Sequence, residues 1–363
     1  MSLAPDLLNW LDHEPYGLDS AQKQVVMLEA MRQLTQWHTE QCASYRRIID
    51  ALQVVPARLE RLEDVPYLPV RLFKEFELLS IPRKEVFKTM TSSGTSGQQV
   101  SRIFLDKATA SFQTKVLSRL MMSLLGKKRV PMLVIDSPSA LKDRLAFSAR
   151  GAGILGFSMF GLDVTYVLDD GMRLDIGALE AFMERHPNGP IFLFGFTFMV
   201  WQYLVQPTLR NNSRLPLDRC ILLHGGGWKK LEDQAVDKNQ FKEVLHSVSG
   251  LTQVVNYYGM VEQSGSLYME CAHGHLHAPV FSDVIVRRVT DFKPTAPGEE
   301  GVIEVLSMLP ISYPGHALLT EDRGTILGED DCPCGRLGKY FQVHGRLSQA
   351  EARGCSDTLE TPR

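Results

Sequence analysis

The chain has no surplus of one charge, no long apolar run and few cysteines, and each shortage removes a class of function. Its 39 basic and 42 acidic residues are spread over 363 positions for a formal net charge of −3. That leaves no basic stripe to follow a nucleic-acid backbone or an anionic bilayer. Neither nucleic acid nor membrane insertion is expected. Apolar runs such as Pro190-Ile191-Phe192-Leu193-Phe194-Gly195-Phe196 fall far short of the roughly 20 residues that a bilayer-spanning helix needs, and no basic-then-apolar leader opens at Met1. A cytoplasmic protein is expected. Six cysteines, two of them in Cys332-Pro333-Cys334, do not form a disulfide framework in a chain of this size. Reduced thiols suit a metal site or catalysis better.

What is present is enough apolar material, 44% of residues, to fill one large or two medium cores. From Ser20 to Leu52 the residues Val25, Leu28, Met31, Leu34, Trp37, Cys42, Tyr45, Ile48 and Leu52 recur mostly at steps of three and four, which predicts one or two amphipathic helices. A proline-punctuated connector runs from Pro56 to Pro69. Apolar runs then alternate with helical stretches: Val130 to Ile135, Val164 to Leu168, Ile191 to Phe196, Cys220 to Leu223 and Val254 to Tyr258. This is the pattern of an α/β fold. After Asp283 the runs shorten to Val284 to Val289 and Val302 to Leu306, separated by Pro and Gly turns, which predicts a β-rich part.

Three stretches could carry chemistry. Thr91-Ser92-Ser93-Gly94-Thr95-Ser96-Gly97 packs hydroxyls and glycines ahead of a strand expected at Val100 to Leu105. Such a loop can offer N–H and O–H groups to oxyanions, but read alone the run is first a polar hairpin turn. It is neither a Walker loop nor a dinucleotide fingerprint. His224-Gly225-Gly226-Gly227-Trp228 and Asn256-Tyr257-Tyr258-Gly259-Met260-Val261-Glu262 lie at the ends of expected strands, where open α/β sheets place ligands. Finally, Arg353-Gly354-Cys355-Ser356 puts a thiol between small residues in a polar tail. A thiol near pKa 8.5 is only a few per cent thiolate at neutral pH, yet that fraction is a strong nucleophile, and Arg353 favours it.

With Leu319-Thr320-Glu321-Asp322 and Gly345-Arg346, these stretches follow the order and spacing of the adenylate-forming superfamily. Over nearly its whole length the chain most resembles the LuxE acyl-protein synthetases, the ligase component of a fatty acid reductase complex. The resemblance implies the large N-terminal domain of an adenylate-forming enzyme, with packed mixed sheets, helices and a β-rich subdomain. The C-terminal domain is expected to be reduced to a short tail, with no lysine beyond Lys339. The implied division is a helical opening segment over 1–65, a core over 66–344 with its β-rich part at about 283–344, and a hinge with a mobile tail over 345–363.

The resemblance also implies roles. Ser92, Ser93, Gly94, Thr95, Ser96 and Gly97 would grip the phosphates of ATP, although Gln98 and Gln99 stand where related loops carry a lysine. Gly225, Gly226 and Gly227 would line the adenine pocket, and Tyr258 and Gly259 would flank adenine and the acyl carbonyl. Glu262 would hold Mg²⁺, Asp322 the ribose hydroxyls, and Arg346 the hinge. Cys355 would take the acyl group as a thioester and deliver it to an acyl reductase of the LuxC kind. Fatty acid is the implied substrate. An acyl- or aryl-CoA ligase and a nucleotide-binding scaffold without activity are the alternatives.

Cys271 in Cys-Ala-His-Gly-His-Leu-His, with Cys332 and Cys334, supplies sulfur and imidazole ligands that suit tetrahedral Zn²⁺. Phenylacetate-CoA ligases show a similar pattern. The expected set is Cys271, His277, Cys332 and Cys334, a closed and therefore structural site. Phe194, Phe196, Phe198 and Trp201 are read either as acyl-pocket lining or as plain core.

Overall fold

The computed structural model describes residues 9–92, 100–141 and 149–347. They form two compact units, one of 9–120 and 259–347 and the other of 121–258. No helix among the described residues is long and apolar enough to cross a membrane.

The unit of 121–258 is a parallel sheet. Its strands are β4 (Val130–Val134), β5 (Gly161–Tyr166), β6 (Ile191–Phe196), β7 (Cys220–Gly225) and β8 (Gln253–Tyr258), in the order β8-β7-β6-β4-β5. β6 spans the residues expected for it. Helices Ile176–Arg185 and Lys238–Ser249 start where Asp175 and Asp237 accept hydrogen bonds from the first free backbone amides, at 2.9 Å to Ala178 and at 2.8 and 2.9 Å to Asn239 and Gln240. A cap of this kind contributes about 1 kcal/mol. Leu193, Leu222, Phe182 and Leu245 are wholly buried in one apolar cluster that also takes Phe198 and Trp201. Phe194 is fully buried as well. The core reading therefore holds for these three aromatics, while Phe196, at the carboxyl end of β6, is half-buried.

The other unit combines helices with an antiparallel sheet. Helix α1 (Ser20–Gln41) opens on a capping box in which Asp19 accepts from the Gln22 amide at 2.8 Å, and α2 (Ala43–Ala51) follows after Cys42. Leu28, Met31, Leu34, Tyr45 and Ile49 are buried, but Val25 and Leu52 are 72% and 56% exposed. Here α2 turns Ile49 inward and leaves Ile48, the residue expected to face the core, half-buried, while Leu52 lies past the helix end. Strands β9 (Tyr268–Glu270), β10 (Leu276–His277), β11 (Ser282–Arg287), β12 (Glu300–Ser307), β13 (Ala317–Glu329) and β14 (Lys339–Arg346) run in the order β11-β12-β13-β14-β10-β9. The short β1 (Leu68–Pro69) pairs parallel with β13, and β2 (Lys88–Thr91) and β3 (Arg102–Leu105) form a separate hairpin.

Buried polar contacts tie α1 to this sheet. Lys23, 4% exposed, pairs with Asp283 at 3.5 Å and donates to the Ala278 carbonyl at 3.1 Å; Lys339 meets the same Asp283 at 3.1 Å. A second cluster stacks His38 on His316 at 5.0 Å between ring centroids, with His38 bonded to Ser80 and the Pro310 carbonyl and His316 to Thr35. Both rings are fully desolvated, which holds them neutral.

Candidate functional site

Strands β2 and β3 pair antiparallel on either side of the polar 91–97 segment. At its neck the Ser101 amide donates to Ser92 Oγ at 2.9 Å and the Ser92 amide to the Ser101 carbonyl at 3.1 Å. Ser93, Gly94, Thr95, Ser96 and Gly97 lie outside the described residues, as does Cys355.

Within the same unit, Glu262 sits on the single turn Val261–Gln263 and is 7% exposed. That turn is fixed by its neighbour: the Gln263 side-chain amide donates to the carbonyls of Val305 and Gly315 at 3.0 and 2.9 Å. Burial raises the Glu262 carboxyl above the usual range; Ser101, its own backbone amide, Lys74 and Arg346 work the other way. Ser101 Oγ faces the carboxylate but completes no hydrogen bond of good geometry among the described residues. A buried carboxylate and an unsatisfied hydroxyl are hard oxygen donors, a set that suits Mg²⁺.

Asp322 and Arg346 stand directly opposite each other in the β13–β14 register, with Arg346 Nε 3.5 Å from Asp322 Oδ1. The structure thus brings together two residues that the sequence separates. It also places Lys74, which sequence reasoning passed over, where its charge reaches Glu262. No spacing or motif marks that lysine.

In the parallel unit the glycine turn closes β7. A Cβ on Gly225 would lie 2.6 Å from the Tyr257 ring, so only glycine fits; Gly226 has φ +78°, a conformation that glycine takes without strain. Gly227 faces open space. Just before the turn, His224 is buried and bonded to Thr197 at 3.0 Å, and burial lowers its pKa to about 3. It is a neutral support for the turn rather than an acid. Tyr258 ends β8, half-buried, and Gly259 follows exposed in the sequence.

The cysteine and histidine ligands converge. The ligand atoms of Cys271, His277, Cys332 and Cys334 all lie within 4.8 Å of one another. Cys271 Sγ is 3.9 Å from Cys332 Sγ, and Cys334 Sγ is 3.4 Å from His277 Nε2. A tetrahedron with Zn–S bonds of about 2.3 Å and Zn–N bonds of about 2.0 Å has edges of roughly 3.5 to 3.8 Å, so the spacing and the donor chemistry both fit zinc. The loops are shaped for it: Gly274 N–H donates to the Cys271 carbonyl at 2.9 Å, Gly335 N–H to Cys332 at 3.0 Å, and Arg336 N–H to Cys334 Sγ at 3.4 Å. His277 is buried between Tyr340 and Tyr16, whereas His275 stacks on Tyr340, approaches Cys332 Sγ at 3.4 Å and is not part of the converging set. Four protein ligands leave no open position for chemistry.

Comparison with known proteins gives a consistent assignment. The family described as acyl-protein synthetase, LuxE, matches residues 4–362. The long-chain-fatty-acid–luciferin-component ligase of Vibrio harveyi is 25% identical over 91% of this chain and 88% of its own, and that of Aliivibrio fischeri is 22% identical over 84% and 80%. Among solved structures, a 2-hydroxyisobutyryl-CoA ligase in an open conformation is similar with a TM-score of 0.70 and 17% identity, covering 96% of this chain and 78% of that one. The fold is that of the adenylate-forming ligases.

Proposed function

The chain belongs to the LuxE acyl-protein synthetase family, and we propose that it activates a long-chain fatty acid with ATP as acyl-AMP and then transfers the acyl group to its own Cys355. Membership of an acyl-protein synthetase family and the adenylate-forming fold support acyl activation. The observation that carries the reading at the level of residues is the buried Glu262 carboxylate, flanked by the unsatisfied Ser101 hydroxyl and acted on by two cations.

In this reading the acyl carboxylate attacks the α-phosphorus and pyrophosphate leaves. Ser92, with residues 93–97, binds phosphate oxygens. The glycines at 225–227, Tyr258 and Gly259 receive the adenine, and Asp322 accepts from the ribose hydroxyls. Glu262 would hold Mg²⁺ with Ser101 beside it, and the ion would neutralise charge on the phosphates. Arg346, paired with Asp322, anchors the hinge at the head of the 345–363 segment. Cys355 then attacks the acyl carbonyl, AMP leaves, and a thioester remains. An intramolecular thiol gains from proximity, since effective molarities reach about 10⁵ M or more for well-placed groups. An acyl reductase would take the thioester onward, with both proteins in the cytoplasm. The zinc set holds β9, β10 and the 332–334 loop together and takes no part in the reaction.

Labelled fatty acid with ATP and Mg²⁺ tests the reading. Label on the protein supports it. Label on added CoA instead would make the chain a CoA ligase, and absence of any activated acid would make it a scaffold.

A further inference from the structure

The surroundings of Glu262 hold a positive charge to which the family resemblance assigns no role. Lys74 lies in the four-residue helix Leu72–Glu75, and this helix is moored at both its start and its middle. The Val70 amide donates to the Leu319 carbonyl at 2.9 Å, just after Leu68 and Pro69 have paired with Leu318 and Leu319. The helix therefore hangs from β13, the strand that carries Asp322. Next to Lys74, Phe73 is fully buried and meets the Tyr313 ring edge-on at 6.1 Å. Gly315 follows in the same loop, packed so closely that a Cβ there would come within 3.0 Å of the Glu262 carbonyl oxygen. The backbone of Glu262 and the helix of Lys74 are thus both seated against residues 313–315.

The charges around this seat are unequal in their commitments. Arg346 pairs with Asp322 at 3.5 Å. Lys74 is half-buried and makes no ion pair with a described residue. An ammonium that has lost part of its hydration without gaining a carboxylate is poised to meet an incoming anion.

Resting on the acyl-activation reading above, we infer that the Lys74 ammonium is a catalytic group of the adenylation step, binding the phosphate oxygens on which charge builds at the α-phosphorus. The carboxylate oxygen of the acid forms its bond to phosphorus as the bond to the bridging oxygen breaks, and the electron pair departs with pyrophosphate. No proton moves, and Lys74 remains an ammonium throughout. Its contribution is electrostatic and lies in a partly desolvated site, where removing one such stabilising group costs about 10²- to 10³-fold in rate. The simpler alternative makes Lys74 a counter-charge that steadies Glu262, with no contact to substrate.

Acid-dependent ATP–pyrophosphate exchange in the full chain separates these roles, alongside transfer to the protein from preformed acyl-adenylate. Lys74→Met should lower kcat for exchange about 10²-fold, leave the Mg²⁺ concentration for half-saturation unchanged and leave transfer from preformed acyl-adenylate intact. Lys74→Arg should retain most of the exchange. Exchange at the wild-type rate in Lys74→Met, or a defect cured by excess Mg²⁺, overturns the inference. Should Lys74→Met lose its cooperative melt, Lys74→Gln carries the same comparison. If the wild type itself shows no exchange, the activation reading falls and takes this inference with it; if the wild type exchanges and Lys74→Met matches it, only the inference falls.

Discussion

Acidification should expose the cost of the stacked histidines, and His316→Gln isolates it. His316 is 1% exposed and bonded through Nε2 to Thr35 Oγ1 at 3.1 Å; burial lowers its pKa to about 3. In the unfolded chain the same ring titrates near 6.5. Above that value both states are neutral and the full stability is present. As pH falls below it, the unfolded state takes up a proton that the folded state refuses, so stability declines progressively toward the folded pKa. Between pH 7.5 and pH 5.0 the span below 6.5 is about 1.5 pH units, which at about 1.4 kcal/mol per unit amounts to about 2 kcal/mol for His316 alone. That is a sizeable part of the 5–15 kcal/mol that stabilises a typical domain. Glu304 works in the opposite sense, because burial raises its pKa to about 7 even beside Arg287, and the buried His38 and His224 add to the loss, so the raw pH dependence mixes several groups. Denaturant unfolding at both pH values, in the wild type and in His316→Gln, removes that mixture by difference. Glutamine keeps a donor and an acceptor for Thr35 but does not titrate. The wild type should lose about 2 kcal/mol more than the variant over this interval. Equal losses would mean that the folded protein accommodates the charged ring, and the reasoning from burial would be wrong.

Two further outcomes follow from the site geometry. Purified protein should contain about one zinc per chain, and a chelator should lower the melting temperature because metal held only by the folded state stabilises it; Cys332→Ser should lose the metal and His275→Ala should keep it, whereas metal-free protein with an unchanged melt would return the four residues to ordinary side chains. Glu262→Gln removes the buried carboxylate charge with little change of shape, so pyrophosphate exchange should fall by about 10²-fold or more; exchange near the wild-type rate at saturating Mg²⁺ would count against its role.

Local periodicity made the parallel unit legible, since a strand such as Ile191–Phe196, buried at all but its last residue, announces itself as an unbroken apolar run. β13 stayed hidden. Its 13 residues include Thr320, Glu321, Asp322, Arg323 and Gly324, and its pairing slips with bulges on both sides, so neither alternation nor an apolar run survives in the sequence. Long-range pairings were equally silent. Lys23 with Asp283, and His38 with His316, join positions far apart in the chain by burial that no local pattern encodes. The convergence of Cys271, His277, Cys332 and Cys334 could be read because sulfur and imidazole spacing is itself a signal. Lys74 could not, because its significance arises from one turn of helix hung on β13 and from Phe73 packed on Tyr313.

Capture of the acyl group by the chain's own Cys355 thiol, after acyl-AMP forms, is open to direct labelling. Protein incubated with labelled long-chain fatty acid, ATP and Mg²⁺ is split, treated with neutral hydroxylamine, and mapped by peptide analysis, with Cys355→Ser in parallel. Capture by Cys355 requires a hydroxylamine-labile label on the peptide that contains Cys355, and a variant that loses the label while keeping acid-dependent pyrophosphate exchange. A thioester label that persists in Cys355→Ser would contradict it.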